Sequence, residues 1–220
     1  MTANEHPILF SGPMVQAILD GRKTQTRRVI KPQPPHWTWN DYSFDDRCIN
    51  VAMVDDRDGY YVISPYGKPG DRLWVRETWC PVDDREFGGE KWIDYRATPR
   101  YESSHPAGWE NAPDDEGALK WKPSIFMPRW ASRITLEIVS VRVELLQSIT
   151  PEDVRAEGIK ESGEGYWLGP LAGVPDYPWG HAHEAYAALW NSINADRGYG
   201  WDSNPWVWVI EFKQYNKEQS

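Results

Sequence analysis

The clearest alternation of hydrophobic and polar positions runs from Arg133 to Leu145. Ile134, Leu136, Ile138 and Ser140 take one face and Thr135, Glu137 and Val139 the other, which predicts a long strand. A second strand is expected at Leu73, Val75 and Glu77, alternating with Trp74 and Arg76 directly after the turn signal Gly67-Lys68-Pro69-Gly70-Asp71. A short strand at Trp92 to Arg96 and a buried one at Trp206 to Phe212, flanked by Pro205 and a polar tail, complete the β reading. Three stretches carry helical spacing instead. Ser11 to Gly21 places Met14, Ala17 and Ile18 on one face, with Ser11 as N-cap, Pro13 in the first turn and Gly21 able to take a left-handed conformation at the end. Thr150-Pro151-Glu152-Asp153 opens a second helix that Gly158 closes, leaving Glu157 at a helix end where the dipole disfavours a carboxylate. His183 to Ile193 is amphipathic through Tyr186, Leu189, Trp190 and Ile193.

Eighteen prolines and seventeen glycines punctuate these elements, which favours a β-rich or α+β fold over a helical bundle. Short strands around a few short helices predict a small mixed or antiparallel barrel. At 220 residues the chain is expected to form one domain, 1–220, with insertions near 32–62, 81–120 and 162–180. The first insertion is expected to hold a hairpin around Cys48 to Val54. The second is acidic and rich in glycine and proline, as a surface lid would be.

Charge changes the picture. The net charge of -9 opposes indiscriminate binding to a phosphate backbone, yet Arg22, Lys23, Arg27, Arg28 and Lys31 form a basic island directly after the first helix. A local anion site on an acidic chain suits a nucleoside or a single strand better than long duplex DNA. Fourteen tryptophans in a chain with five phenylalanines are expected mainly to fill the core, with roughly two or three stacking on a flat ligand. Cys48 and Cys80 are too few for a disulfide framework and too far apart for a Cys-x-x-Cys metal site. No apolar run is long enough to cross a bilayer, and Met1 to Pro7 lacks the pattern of a secretory signal, so a reducing cytoplasm and no membrane partner are expected.

Lys23 is the first chemical candidate, because neighbouring Arg22, Arg27 and Arg28 repel its charge and favour a neutral amine able to act as a base. Thr26, three residues on, is a hydroxyl within reach if the backbone turns or extends. Spacing alone favours a solvated basic patch after a helix. His181, His183 and Glu184 lack the i, i+4 geometry of a helical zinc pair, and no phosphate-binding loop, dinucleotide fingerprint or Gly-x-Ser-x-Gly is present, so no metal or organic cofactor is expected.

The run Gly21-x-Lys23-x-x-Thr26-x-Arg28 resembles the ASCH family, whose hallmark is Gly-x-Lys-x-x-Glu-x-Arg; here Thr26 stands where many members carry Glu. The same Gly-Arg-Lys-Thr-x-Thr run ends the first helix in the small bacterial branch of that family that hydrolyses N4-acetylcytidine. Ile18-Leu19, Gly70-Asp71 and Val209-Ile210-Glu211-Phe212-Lys213 are also similar to that branch. Pro7 to Pro32, Tyr66 to Trp79, Trp121 to Thr135 and Leu189 to Phe212 look like the longer ASCH proteins of bacteriophages and prophages.

The resemblance implies a PUA-like barrel and an amidohydrolase without cofactor, removing an acyl group from the exocyclic amine of a modified nucleobase or nucleoside. It implies a catalytic set of Lys23, Thr26 and, by the spacing from Thr150, Glu157. In that scheme Lys23 activates Thr26, Glu157 relays a proton, Arg28 holds an oxyanion or orients Glu157, and Trp79 or Trp130 stacks on the base, with Arg22 as a further substrate contact. The same family also implies an alternative without chemistry, binding of single-stranded RNA or a modified base, and a third reading, RNA cleavage by the Lys and Glu pair.

Overall fold

The computed structural model describes residues 3–33, 51–55, 60–83, 91–100, 120–168 and 178–215. In chain order their regular elements are β1 (Glu5–Leu9), α1 (Gly12–Leu19), β2 (Gln25–Val29), β3 (Val51–Asp55), β4 (Tyr60–Ile63), β5 (Arg72–Arg76), β6 (Trp79–Asp83), β7 (Lys91–Tyr95), β8 (Thr135–Leu145), α2 (Pro151–Ala156), β9 (Lys160–Ser162), β10 (Gly165–Trp167), α3 (Ala182–Asn194) and β11 (Trp206–Gln214). The architecture is α+β. A five-stranded sheet has the order β1-β5-β8-β11-β2, parallel between β1 and β5 and antiparallel elsewhere.

The hydrophobic run of β11 follows from its position between β8 and β2, with both of its faces covered. Trp208, Ile210 and Phe212 point into one cluster with Ile8, Phe10, Val15, Ile18, Leu73, Leu136 and Ile138. Val207 and Val209 point the other way, into a cluster with Leu146, Val154, Ala185, Leu189 and Trp190. Helix α1 therefore packs on one face of the sheet, and α2 and α3 on the other.

Among the described residues the sheet is open, with β1 and β2 at its edges. The chain between those edges is α1, whose Val15 and Ile18 pack with Ile8 and Phe10. Each expected insertion contributes a separate antiparallel hairpin, β3–β4, β6–β7 or β9–β10, while Cys48 to Asn50 and the acidic stretch 101–119 lie outside the described residues. No helix among the described residues is long and apolar enough to cross a membrane.

The long strand departs from its sequence pattern at one point. Ile138 pairs with Phe212 and Ser140 with Glu211, so Val139 is an extra residue opposite the β11 ladder. This bulge reverses the alternation. Leu136 and Ile138 are buried as expected, but beyond the bulge Val141 takes the inward position that the pattern assigned to Ser140, and Val139 is exposed.

Candidate functional site

The site is built where the exits of two helices meet. After Leu19, Gly21 adopts φ +73°, and the amides of Arg22 and Lys23 both donate to the Ala17 carbonyl at 2.9 Å, turning the chain back across the end of α1. On the other side α2 starts with a capping box: the Asp153 amide donates to Thr150 Oγ1 at 3.2 Å and the Thr150 amide donates to Asp153 Oδ2 at 3.1 Å. Its exit, Glu157, forms an antiparallel bridge with Lys23, and the Thr24 amide donates to the Ala156 carbonyl at 2.8 Å. This approach needs Gly158. Its φ is +97°, and a Cβ there would stand 2.9 Å from Ala17 Cβ and 3.1 Å from Lys23 Cβ.

These turns bury Lys23 and Glu157 together, 2 % and 4 % exposed. Lys23 Nζ donates to Glu157 Oε2, to the Glu157 carbonyl and to the Gln25 carbonyl, each at 2.8 Å. The second bond answers the objection to a carboxylate at this helix end, since the ammonium supplies a donor and a positive charge to the terminal carbonyl. The Lys23 pKa lies below its ordinary value. Burial is the main cause, Glu157 opposes it, and the charges of Arg28 and Arg27 add to it. A buried lysine with a depressed pKa and a carboxylate in contact is a pair able to exchange a proton.

Glu157 is held from two further sides. Arg27 Nη1 reaches its Oε1 at 3.5 Å, and the Tyr186 hydroxyl donates to the same oxygen at 3.4 Å. Arg27 is anchored in turn by Glu144 and Asp153, each at 3.0 Å. Burial works against the Arg27 charge, but Glu157, Tyr186, Asp153 and Glu144 outweigh it and hold its pKa above the ordinary value. Burial, reinforced by Glu157, drives the Tyr186 phenol well above its ordinary value and keeps it a proton donor.

A cavity of about 450 Å³ opens beside this cluster, within the range that holds a small organic ligand. Thr26, Arg27, Arg28, Glu157 and Tyr186 all reach its wall. Among the described residues nothing hydrogen-bonds the Thr26 hydroxyl. Lys23 lies behind the wall, and its Nζ is bonded to the three oxygens above and not to Thr26. The structure thus brings Lys23 and Glu157 into contact and sets Thr26 on the cavity surface.

The remaining expected residues are placed differently. Arg28 donates to the Leu9 carbonyl at 2.6 Å and lies 5.1 Å from the Phe10 ring centroid; it lines the cavity, but Arg27 and not Arg28 contacts Glu157. Strand parity is the reason, since neighbours on β2 point to opposite sides. Arg22 is exposed and tied to the Gly158 carbonyl at 2.6 Å and to Asp20 at 2.9 Å, off the cavity wall. Trp79 is buried with Met127 and Ala131, and Trp130, 72 % exposed, meets it edge-on at 6.0 Å. Neither touches the cavity. Its aromatic wall comes from Tyr66, Tyr186, Trp190, Tyr199 and Trp208. Tyr186 had a signal in the sequence as a polar-tipped residue on the buried stripe of α3; Arg27 had only its place in the basic island. Among the described residues no cluster of three His, Cys, Asp or Glu side chains is close enough to hold a metal ion.

No family model matches this chain, and neither a curated protein nor a solved structure does.

Proposed function

We propose that this protein is an amidohydrolase that removes an acyl group from the exocyclic amine of a modified cytosine nucleoside, built on a PUA-like variant of its α+β sheet. The observation that carries this reading is the buried Lys23–Glu157 pair, 2.8 Å apart, behind a cavity wall on which the Thr26 hydroxyl has no hydrogen-bond partner among the described residues. The likeness of Gly21 to Arg28 to the ASCH motif supports the same three residues.

In the proposed reaction Lys23, as the neutral amine, takes the Thr26 proton while Thr26 Oγ1 bonds to the acyl carbon. A neutral amine has two N–H groups, so one of the three oxygens around Nζ must be released before its lone pair can turn to Thr26. The C–N bond then breaks, and the exocyclic amine leaves with a proton passed on through Glu157. Water hydrolyses the acyl-threonine ester, giving the carboxylic acid and restoring the hydroxyl. Arg28, on the cavity wall, supplies positive charge to the oxyanion. Arg27 and Tyr186 position Glu157.

A second reading, recognition of a modified base or a single RNA strand without chemistry, is favoured by one observation: the three bonds to Lys23 Nζ satisfy an ammonium completely. Incubation with N4-acetylcytidine, followed by ultraviolet absorbance, separates the two. Deacetylation that disappears in Thr26→Ala is expected. No turnover, with cytidine derivatives still bound, leaves only the second reading.

A further inference from the structure

The cavity has an electrostatic feature that amide hydrolysis of a neutral nucleoside does not use. Besides Arg27 and Arg28, two cations line it: Lys31 beyond the end of β2, and Arg197 from the turn after α3. The single acid on the wall is Glu157, already engaged by Lys23 and Arg27. Arg28, Lys31 and Arg197 have no carboxylate partner among the described residues. Lys31 Nζ lies instead 5.1 Å from the Tyr199 ring centroid, and Arg28 Nε is buried without a hydrogen-bond acceptor. Arg197 stands near enough to Arg28 for the two like charges to repel.

This arrangement is unusual for a chain of net charge -9 with carboxylates to spare, and the contrast lies within the site itself. Arg27, on the same wall, and Arg142, which shares Glu144 and Asp153 with it, are ringed by Glu144, Asp153, Glu157 and Glu211. Cations facing a hollow without counter-charge gain most from an anion placed between them. The aromatic wall of Tyr66, Trp190, Tyr199 and Trp208 fits a flat ring in the same space.

We infer that the ligand of this cavity is a phosphorylated nucleoside, with the base against the aromatic wall and the phosphate held by Lys31 and Arg197. The inference rests on the proposed reading for the identity of the base, and extends it from nucleoside to nucleotide.

Calorimetric titration of the full chain with cytidine, cytidine 5′-monophosphate and the dinucleotide CpC tests it without requiring any reaction. The monophosphate is expected to bind at least about tenfold more tightly than cytidine at low salt, an advantage that shrinks as salt screens the cations. The double variant Lys31→Gln/Arg197→Gln, altered only at exposed positions, is expected to lose most of that advantage. Tighter binding of CpC than of the monophosphate would assign the phosphate to a strand, and the reverse to a free nucleotide. Equal affinity for cytidine and its monophosphate, or binding of neither, overturns the inference. Hydrolysis of N4-acetylcytidine with no gain from a 5′-phosphate would overturn it too, while leaving the hydrolase reading intact. Nucleotide binding without hydrolysis would do the opposite.

Discussion

Two buried carboxylates in different parts of this molecule are ion-paired, and only one has a partner with the means to move a proton. Glu77, 2 % exposed, receives a two-pronged bond from Arg133, with Nε and Nη2 each 2.9 Å from a carboxylate oxygen. The guanidinium lies 4.0 Å from the Tyr95 ring centroid and its Nη1 donates to Thr98 at 2.8 Å, so this pair clamps the β6–β7 hairpin to the start of β8. Glu157 is almost as deeply buried but faces a lysine. Arginine does not release its proton in a protein, whereas a desolvated lysine does. Glu77 also borders a cavity, about 300 Å³, shared with Gln16, Thr78 and Arg96. Burial, ion pairing and a neighbouring hollow are therefore common to both regions. What separates them is the identity of the cation, lysine at the first, where the Thr26 hydroxyl lies on the cavity wall, and arginine at the second.

The sharpest test of this contrast removes the hydroxyl at the first site. Thr26→Ala should lower turnover of N4-acetylcytidine by roughly a thousandfold or more with little change in melting temperature. Glu77→Ala should do the reverse, costing about 1–3 kcal/mol by removing the carboxylate that anchors Arg133 while turnover of the folded protein stays within a few-fold. Steady-state rates and thermal melts on the two variants decide it; equal losses of turnover in both would erase the distinction.

Lys23→Arg presses on the same point more finely. It keeps a cation beside Glu157 but removes the ability to become neutral, so turnover should fall by at least about a hundredfold while the fold persists. An active Lys23→Arg protein would show that Lys23 serves as a charge and not as a base. In the wild-type protein kcat/KM should rise with pH, tenfold per unit, along a limb whose midpoint lies below the usual lysine value near 10.4, because burial depresses the Lys23 pKa and the neutral amine is the active form. A limb whose midpoint sits at or above the usual lysine value argues against it.

Much of this region was legible in the sequence, and what was not has a common cause. Ser11, Pro13 and Gly21 bounded α1, Thr150 and Gly158 bounded α2, and the alternation from Ile134 marked β8, because caps, turns and strand periods are written within a few residues. The bulge at Val139 was invisible, since the extra residue exists only relative to β11. Arg27 and not Arg28 contacts Glu157, a difference that depends on which side of β2 faces α2. Tyr186 and Glu157 are separated by 29 residues and meet only through the docking of α3. Trp79 and Trp130 were singled out by their neighbours in sequence, while the aromatics of the cavity come from four separate stretches of the chain.

The smallest expected effect concerns the support behind the site. Burial opposes the charge of Asp153, but the Thr150 amide and Arg27 outweigh it and hold the carboxyl below its ordinary pKa. A carboxyl with a lower pKa folded than unfolded contributes stability that is fully present above the unfolded value, near 3.9, and is lost as pH falls through the folded one. Asp153→Asn should therefore cost less than about 1 kcal/mol at neutral pH and flatten the fall in melting temperature below pH 4. The equivalent change at the clamp, Thr98→Val, removes one acceptor from Arg133 and no titrating group, so its melting curves should keep the wild-type slope in acid. If instead Asp153→Asn leaves the acid limb untouched, the capping box and Arg27 do not draw their strength from the Asp153 charge, and the network behind Glu157 is held together by packing.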